Sequence, residues 1–88
     1  MQNDDRYFRT SSFGISVFLL AKNIELADID KISNSKRATF VFVNCPDLQD
    51  LLQAFNYGKD DDLSVMVDVR RVLLATRQLK EKLYQDTF

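Results

Sequence analysis

The feature that most constrains the fold of this chain is the apolar run Phe40-Val41-Phe42-Val43. Large apolar side chains occupy both parities of the run, so a strand formed here must bury both of its faces. The preceding residues 33–37 are polar and basic, which is typical of a turn. We therefore expect a short strand over residues 38–43, with helices packed above and below it.

The residues before this strand predict a strand, a helix and a second strand. Residues 6–10 alternate loosely and form a short first strand. Ser11 or Ser12 caps a helix over residues 13–22, because a serine hydroxyl accepts hydrogen bonds from the free N–H groups of the first turn. Asn23 ends this helix, since Asn tolerates the left-handed conformation. The apolar residues at helical spacing are Phe13, Val17, Leu20, Ala21 and Ile24.

The segment over residues 24–32 predicts the second strand, which forms a hairpin with residues 38–43. Its apolar residues change parity part-way along the segment. This change indicates either a β-bulge or a strand that is partly covered on both faces.

Two helices are predicted after the central strand. Asn44 or Cys45 caps the first of them, Pro46 occupies its first turn, and Gly58 ends it. Residues 63–67 form either a short extended segment or the opening turn of the last helix. Asp68 is a good N-cap for the last helix, which favours the extended segment. The expected inner face of that helix is Val69, Val72, Thr76, Leu79 and Leu83.

These elements together predict one small α+β domain with the order β-α-β-β-α-α. Its short three-stranded sheet contains antiparallel pairs, has the strand of Phe40 in the middle, and is covered by helices. We expect the domain to span residues 6–85, between a disordered N-terminus at residues 1–5 and a C-terminal tail at residues 86–88.

Several strings of the chain carry a resemblance to a known family. They are Tyr7-Phe8-Arg9-Thr10-Ser11, Phe18-Leu19-Leu20-Ala21-Lys22, Ala38-Thr39-Phe40-Val41-Phe42, Tyr57-Gly58 and Arg77-Gln78-Leu79-Lys80. These strings are similar to those of a bacterial and phage family of small uncharacterised proteins, known as a domain of unknown function. The resemblance covers most of residues 6–84, with Asn23 where the family pattern has glycine. It implies no established activity, so no catalytic residue is carried over.

The composition argues against an enzyme. The chain has no His, so the common base near neutral pH and the commonest metal ligand are missing. Its single cysteine, Cys45, has no imidazole partner to activate it. The two glycines cannot make a phosphate-binding loop, and residues 60–62 lack the spacing of a calcium loop. We expect no catalytic residues, metal site, cofactor or small-molecule substrate.

The same sequence predicts where the protein is found. No apolar run is long enough to span a bilayer, and the chain carries no recognisable signal peptide. A single cysteine cannot form an internal disulfide. The expected location is the cytoplasm, without membrane contact.

Clustered basic residues suggest contact with DNA or RNA. The residues proposed for one cationic strip on the hairpin tip and the last helix are Lys36, Arg37, Arg70, Arg77 and Lys80. Arg9 and Tyr7 are expected to add charge and base stacking. Arg71 is expected to pair with Asp68, and Arg77 with Glu81, which reduces the charge of the strip. The formal net charge of −1 is also compatible with an ordinary mixed-charge surface.

A surplus of apolar residues on the helices suggests an interface. The residues assigned to it are Leu73, Leu74, Leu83, Tyr84 and Phe18. Helices that are apolar around much of their circumference are covered on more than one side, by a second copy or by a larger partner. The leading interpretation is a non-enzymatic accessory protein that binds nucleic acid and self-associates or joins a larger assembly. The alternative is a protein–protein interaction module without nucleic-acid contact.

Overall fold

The structure, a computed structural model, describes residues 6–31, 38–59 and 61–84. Its elements in chain order are β1 (Tyr7–Thr10), α1 (Phe13–Ala21), β2 (Leu26–Asp30), β3 (Thr39–Val43), α2 (Leu48–Tyr57), a short 3-10 helix (Leu63–Val65) and α3 (Val69–Leu83). The predicted α+β class and element order are confirmed. The disordered N-terminus, the C-terminal tail and the hairpin-tip residues Lys36 and Arg37 lie outside the described residues.

The sheet has the strand order β1-β3-β2, and β3 pairs antiparallel with both neighbours. The prediction that the strand of Phe40 is central is therefore confirmed. The register places Phe40 opposite Thr10 of β1 and opposite Ile29 of β2. Between Leu26 and Asp28 the register shifts by a β-bulge, the first of the two alternatives that the change of parity allowed.

The two faces of the sheet are covered differently. Phe40 and Phe42 are buried in the core cluster, whose helical members are Phe18, Leu19, Leu48 and Leu79. Val41 points to the opposite face, where its neighbours in register are Arg9 of β1 and Asp28 of β2. It is only 5% exposed, but it does not belong to the core cluster. The smallest dimension of the molecule, 19 Å, fits one helical layer on one sheet. Within the described residues, the helical cover expected on both faces is therefore found on one.

Helix α1 begins and ends as its sequence predicts, and it buries residues on more than one face. The Ser12 hydroxyl accepts from the Ile15 N–H at 3.1 Å, and Asn23 has a φ of 68° after the last turn. The deeply buried residues are Ser16, Phe18, Leu19 and Ala21. The residues predicted at helical spacing also contribute to the core: Ala21 is buried, and Phe13, Val17, Leu20 and Ile24 pack against the core cluster.

Helix α2 begins later than predicted. The Asn44 N–H donates to the Arg6 carbonyl at 2.8 Å, so Asn44 still extends the pairing of β3 with β1 and does not cap the helix. Asp47 is the N-cap residue, which leaves Pro46 just outside the helix. Gly58 ends the helix, as predicted. Residues 63–67 contain the 3-10 helix, whose start is capped by Asp62, so neither predicted alternative for this segment was right.

Helix α3 is anchored to the rest of the domain by buried residues and by two cations. Ala75 and Leu79 are buried. Arg71 donates to the Ala21 carbonyl at 3.3 Å, and Lys31 donates to the Leu83 carbonyl at 2.8 Å. These contacts fix the helix against α1 and against the end of β2. Val69 was wrongly assigned to the inner face: it is 66% exposed because it lies at the rim of the first turn.

We predict that Leu79→Ala lowers the free energy of unfolding by about 2–5 kcal/mol, because it leaves a cavity in a fully buried site. Leu73→Ala on the same helix is the matched control, and its exposed site limits the change to about 0.5 kcal/mol. Urea unfolding followed by circular dichroism measures both values. Equal losses for the two variants would contradict the assignment of the buried face of α3.

Candidate binding surfaces on the last helix and the first strand

The outward side of α3 carries a continuous row of exposed residues. Val69, Leu73, Arg77, Lys80 and Tyr84 follow one another in steps of three or four, which places them on one face. We call this row the outer stripe. Leu73 is 62% exposed and Tyr84, the C-cap residue, is 75% exposed. Along a surface about the length of the helix, two apolar side chains are therefore followed by two cations and a tyrosine.

Arg70 lies beside the outer stripe and is held by Asp68. The Asp68 carboxylate caps the helix by accepting from the Arg70 backbone N–H at 2.8 Å. It also accepts from the Arg70 guanidinium, through Nη2 at 2.9 Å and Nε at 3.2 Å. The expected pairing of Asp68 with Arg71 was wrong, because Arg71 donates to Ala21 of α1 instead.

This arrangement shifts the pKa of both partners. The Arg70 side chain first, and the Arg70 backbone N–H second, hold the pKa of Asp68 below its ordinary value near 3.8. The hydrogen bonds to Asp68 raise the pKa of Arg70. A carboxyl whose pKa is lowered on folding adds stability above its unfolded pKa, and that contribution is lost as the pH falls through the folded pKa. Arg70 remains charged because Asp68 raises its pKa. Its Nε and Nη2 groups, however, donate to Asp68.

Arg77 and Lys80 are the exposed cations of the outer stripe. Among the described residues no ion pair joins Arg77 to Glu81, so the pairing expected from their spacing is not made. Glu81 lies in the adjacent row of the helix, with Arg70 and Leu74. The outer stripe itself contains no acidic residue.

Arg9 and Tyr7 are on the other side of the molecule. They lie opposite Val41 and Val43 in register and share the sheet face that faces away from the helices. The Arg6 guanidinium lies 5.7 Å from the centre of the Tyr7 ring, within the range of a cation–π contact. The structure thus separates this pair from Arg77 and Lys80 by the thickness of the sheet and the helical layer. Arg9 and Tyr7 therefore do not share a surface with Arg77 and Lys80, whereas Lys36 and Arg37 lie outside the described residues.

The C-terminal end of α3 is close to the start of the β2–β3 hairpin. Lys31 is the last described residue before the hairpin loop, and its bond to Leu83 joins the two. Lys80 and Lys82 belong to the last turn of the helix. Basic residues therefore gather where the chain leaves toward Lys36 and Arg37.

The residues predicted as an apolar interface fall into two groups. Leu73, Leu74 and Tyr84 are exposed. Leu83 is half-buried and packs against the core cluster, and Phe18 is only 5% exposed, stacked on Phe55 with ring centres 4.6 Å apart. Phe18 is therefore a core residue and was wrongly placed at an interface, because α1 is covered on two sides.

The sequence interpretation also missed some exposed apolar residues. They are Leu63, in the 3-10 helix, and Met66, just after it, and both precede the outer stripe in the chain. The available signal was their position close to two capping aspartates, Asp62 and Asp68.

The described residues give little support to a small-molecule or metal site. An open cleft of about 280 Å³ lies along the edge of β2, lined by Leu26, Ala27, Asp28, Ile29, Lys31 and Lys82. A second open cleft, of about 410 Å³, is lined by Leu20, Leu26, Gln78, Glu81 and Lys82. Both are open and partly polar, whereas typical ligand pockets are concave and mostly apolar. In the part of the chain that the structure describes, no three Cys, Asp or Glu side chains gather as a metal site would require. None of the helices described has the length and apolar character needed to cross a bilayer.

Comparison with known proteins places the chain in a family. A family model for a domain of unknown function, DUF5659, matches residues 5–85. The chain belongs to the DUF5659 family. No curated protein and no solved structure matches it. The DUF5659 match confirms the resemblance to an uncharacterised domain family.

We predict that Arg70→Met raises the pKa of Asp68, because the largest cause of its lowering is removed. The pKa stays below the ordinary value, since the backbone N–H of residue 70 still donates. Arg71→Met is the matched control, because Arg71 makes the smallest contribution to the lowered pKa of Asp68 and makes it only through its charge. NMR titration of the carboxyl groups measures the pKa of Asp68 in the wild type and in the two variants. A larger rise in the control would refute the assigned pair.

Proposed function

We propose that this protein is a small non-enzymatic docking module whose outer stripe binds an acidic, amphipathic segment of a partner protein. The observation that carries the proposal is that exposed apolar residues and exposed cations share one face of α3. This reverses the order of the two interpretations drawn from the sequence, in which nucleic acid came first.

The apolar part of the outer stripe supports a protein partner. Val69, Leu73 and Tyr84 expose most of their surface, and Leu74 adds a further apolar side chain in the adjacent row. Contiguous apolar groups rimmed by charged residues are typical of surfaces that bind other proteins. A helical segment with apolar anchors at helical spacing is the partner geometry that fits such a face.

The charged part of the outer stripe selects the chemistry of the partner. Arg77 and Lys80 are its only ionisable cations and no acid lies in the row, so a complementary segment carries Asp or Glu opposite them. A second copy of the same stripe would bring positive charge against positive charge. The outer stripe is therefore suited to a different protein and is poorly suited to self-association.

We predict that a fluorescent helical peptide with leucines on one face and glutamates on the others binds the protein. Leu73→Asp should weaken binding by about tenfold or more, because a charge replaces an apolar anchor on the surface. Fluorescence anisotropy measures the affinity. Leu63→Asp is the matched control, since Leu63 is at least as exposed as Leu73 but lies outside the stripe.

A peptide with lysine in place of glutamate tests the charge argument. It should bind at least about tenfold more weakly than the acidic peptide. Equal binding of the two peptides, or loss of binding in Leu63→Asp alone, would overturn the proposal. An NMR spectrum of each variant establishes that the fold is intact.

Nucleic-acid binding is the second candidate, and one contact favours it. The bond from Lys31 to Leu83 brings the last turn of α3, with Lys80 and Lys82, to the start of the loop that holds Lys36 and Arg37. Phosphate contacts need such clusters and do not need an apolar row. The engagement of Arg70 by Asp68 and the distant position of Arg9 and Tyr7 reduce the number of residues that this candidate retains.

We predict a salt dependence that separates the two candidates. If nucleic acid binds at the C-terminal end of α3, the logarithm of the affinity for labelled DNA or RNA falls linearly with the logarithm of salt concentration. Lys80→Glu and the pair Lys36→Glu, Arg37→Glu should each reduce that slope by about 1 per residue changed. Leu73→Asp should leave it unchanged. No binding at low salt would eliminate this candidate and leave the peptide experiment to decide.

A further inference from the structure

We propose that the edge of β1 to which no described strand pairs forms an antiparallel pair with β1 of a second copy of this chain, in the register that places Tyr7 opposite the partner's Arg9. The pairing would join the two three-stranded sheets into one. It involves a surface remote from the outer stripe, so it does not depend on the proposed function.

The pairing of β1 with β3 shows which backbone N–H and C=O groups of β1 do not bond to β3. Arg6 and Asn44 lie opposite each other, and the Asn44 N–H bonds to the Arg6 carbonyl. These two residues therefore form a hydrogen-bonded antiparallel pair. Such pairs alternate with non-hydrogen-bonded ones along the ladder. Phe8 therefore also bonds to β3, whereas the N–H and C=O groups of Tyr7 and Arg9 point away from β3, to the free edge.

The other edge of the sheet is protected against a partner strand. The Val43 N–H bonds to the Glu25 carbonyl, so the residues of β2 that face outward follow by the same alternation. Beyond the bulge between Leu26 and Asp28, the outward N–H is that of Ile29, and the Asp28 carboxylate already accepts from it at 2.8 Å. A bulge and a side chain that occupies an edge donor are devices that block edge pairing. β1 has neither: its register with β3 is unbroken.

The β1 edge is self-complementary in one register. A two-fold axis at Phe8 places Tyr7 opposite Arg9 on both sides, and every outward N–H and C=O of these residues then meets a partner group. Directly opposed side chains in a sheet are in contact, so the guanidinium of Arg9 reaches the ring of Tyr7 across the seam. An axis at Arg9 would oppose two like charges, and an axis at Tyr7 would use only one outward residue of β1 in each copy.

The axis at Phe8 also covers apolar surface. Phe8 is half-buried, packs against the core cluster and lies on the helical face of the edge strand. In this register the two Phe8 residues form a non-hydrogen-bonded pair, the kind with the closer Cα atoms. The seam is short and buries less area than a standard interface, so we expect a weak dimer that forms at high micromolar concentration.

Disulfide cross-linking tests the register directly. In a Cys45→Ser background, Tyr7→Cys and Arg9→Cys are made as two separate proteins, one carrying a tag. A disulfide needs Cα atoms about 4.4–6.8 Å apart, a range that includes directly opposed hydrogen-bonded residues at about 5.5 Å. The mixture should therefore cross-link under mild oxidation several-fold more than either variant alone. Equal cross-linking of all three samples would overturn the register.

Analytical ultracentrifugation tests whether the two β1 strands form a dimer at all, and it uses the protein without the cysteine substitutions. Arg9→Pro removes an outward N–H without touching the ladder to β3, and edge strands accept proline at such positions. It should shift the dimer to monomer, while Arg9→Ala, which keeps the backbone donor, should weaken the dimer only a few-fold. Circular dichroism confirms the fold of both. A wild-type protein that stays monomeric at high micromolar concentration, or an Arg9→Pro dimer, would overturn the proposal.

Discussion

The burial of β3 is the constraint on which the rest of the structure depends. Phe42 is fully buried at the centre of the core, and each helix contributes a side chain to the cluster around it. A central strand needs partners on both sides, which makes β1 and β2 the edges of the sheet. Because the helices collect over Phe40 and Phe42, the opposite face is covered, among the described residues, by the sheet's own side chains. The single helical layer also leaves α3 with one side directed at solvent.

The two surfaces with binding character are products of this layered arrangement. The outer stripe lies on the helical side, and Tyr7 and Arg9 lie on the sheet side and edge. In the sequence they look like parts of one basic set with Arg70 and Arg77. In the structure the sheet stands between them, and the Asp68 carboxylate takes up Arg70. A protein with a net charge of −1 can thus present local positive rows without a general attraction for polyanions.

The parts of the fold that local sequence determines were predictable. The apolar residues of both parities in β3 gave its central position, and the caps at Ser12 and Asp68 gave two helix starts. The burial of Phe18 was not predictable from periodicity on one helix, because Phe55 of α2 packs on it, and this moves Phe18 from a proposed interface to the core. The partner of Asp68 was missed for a similar reason: Arg71 is drawn to a carbonyl of α1, which periodicity on one helix does not show.

The bulge in β2 has a consequence for how large an assembly can become. A sheet with two open edges can add copies at both ends, and repeated addition of that kind produces fibres. Here the Asp28 carboxylate and the bulge close one end of the sheet. Any pairing through the remaining edge is used up by the first copy that binds. With the proposed pairing, the bulge and the Asp28 carboxylate would therefore limit the joined sheet to two copies.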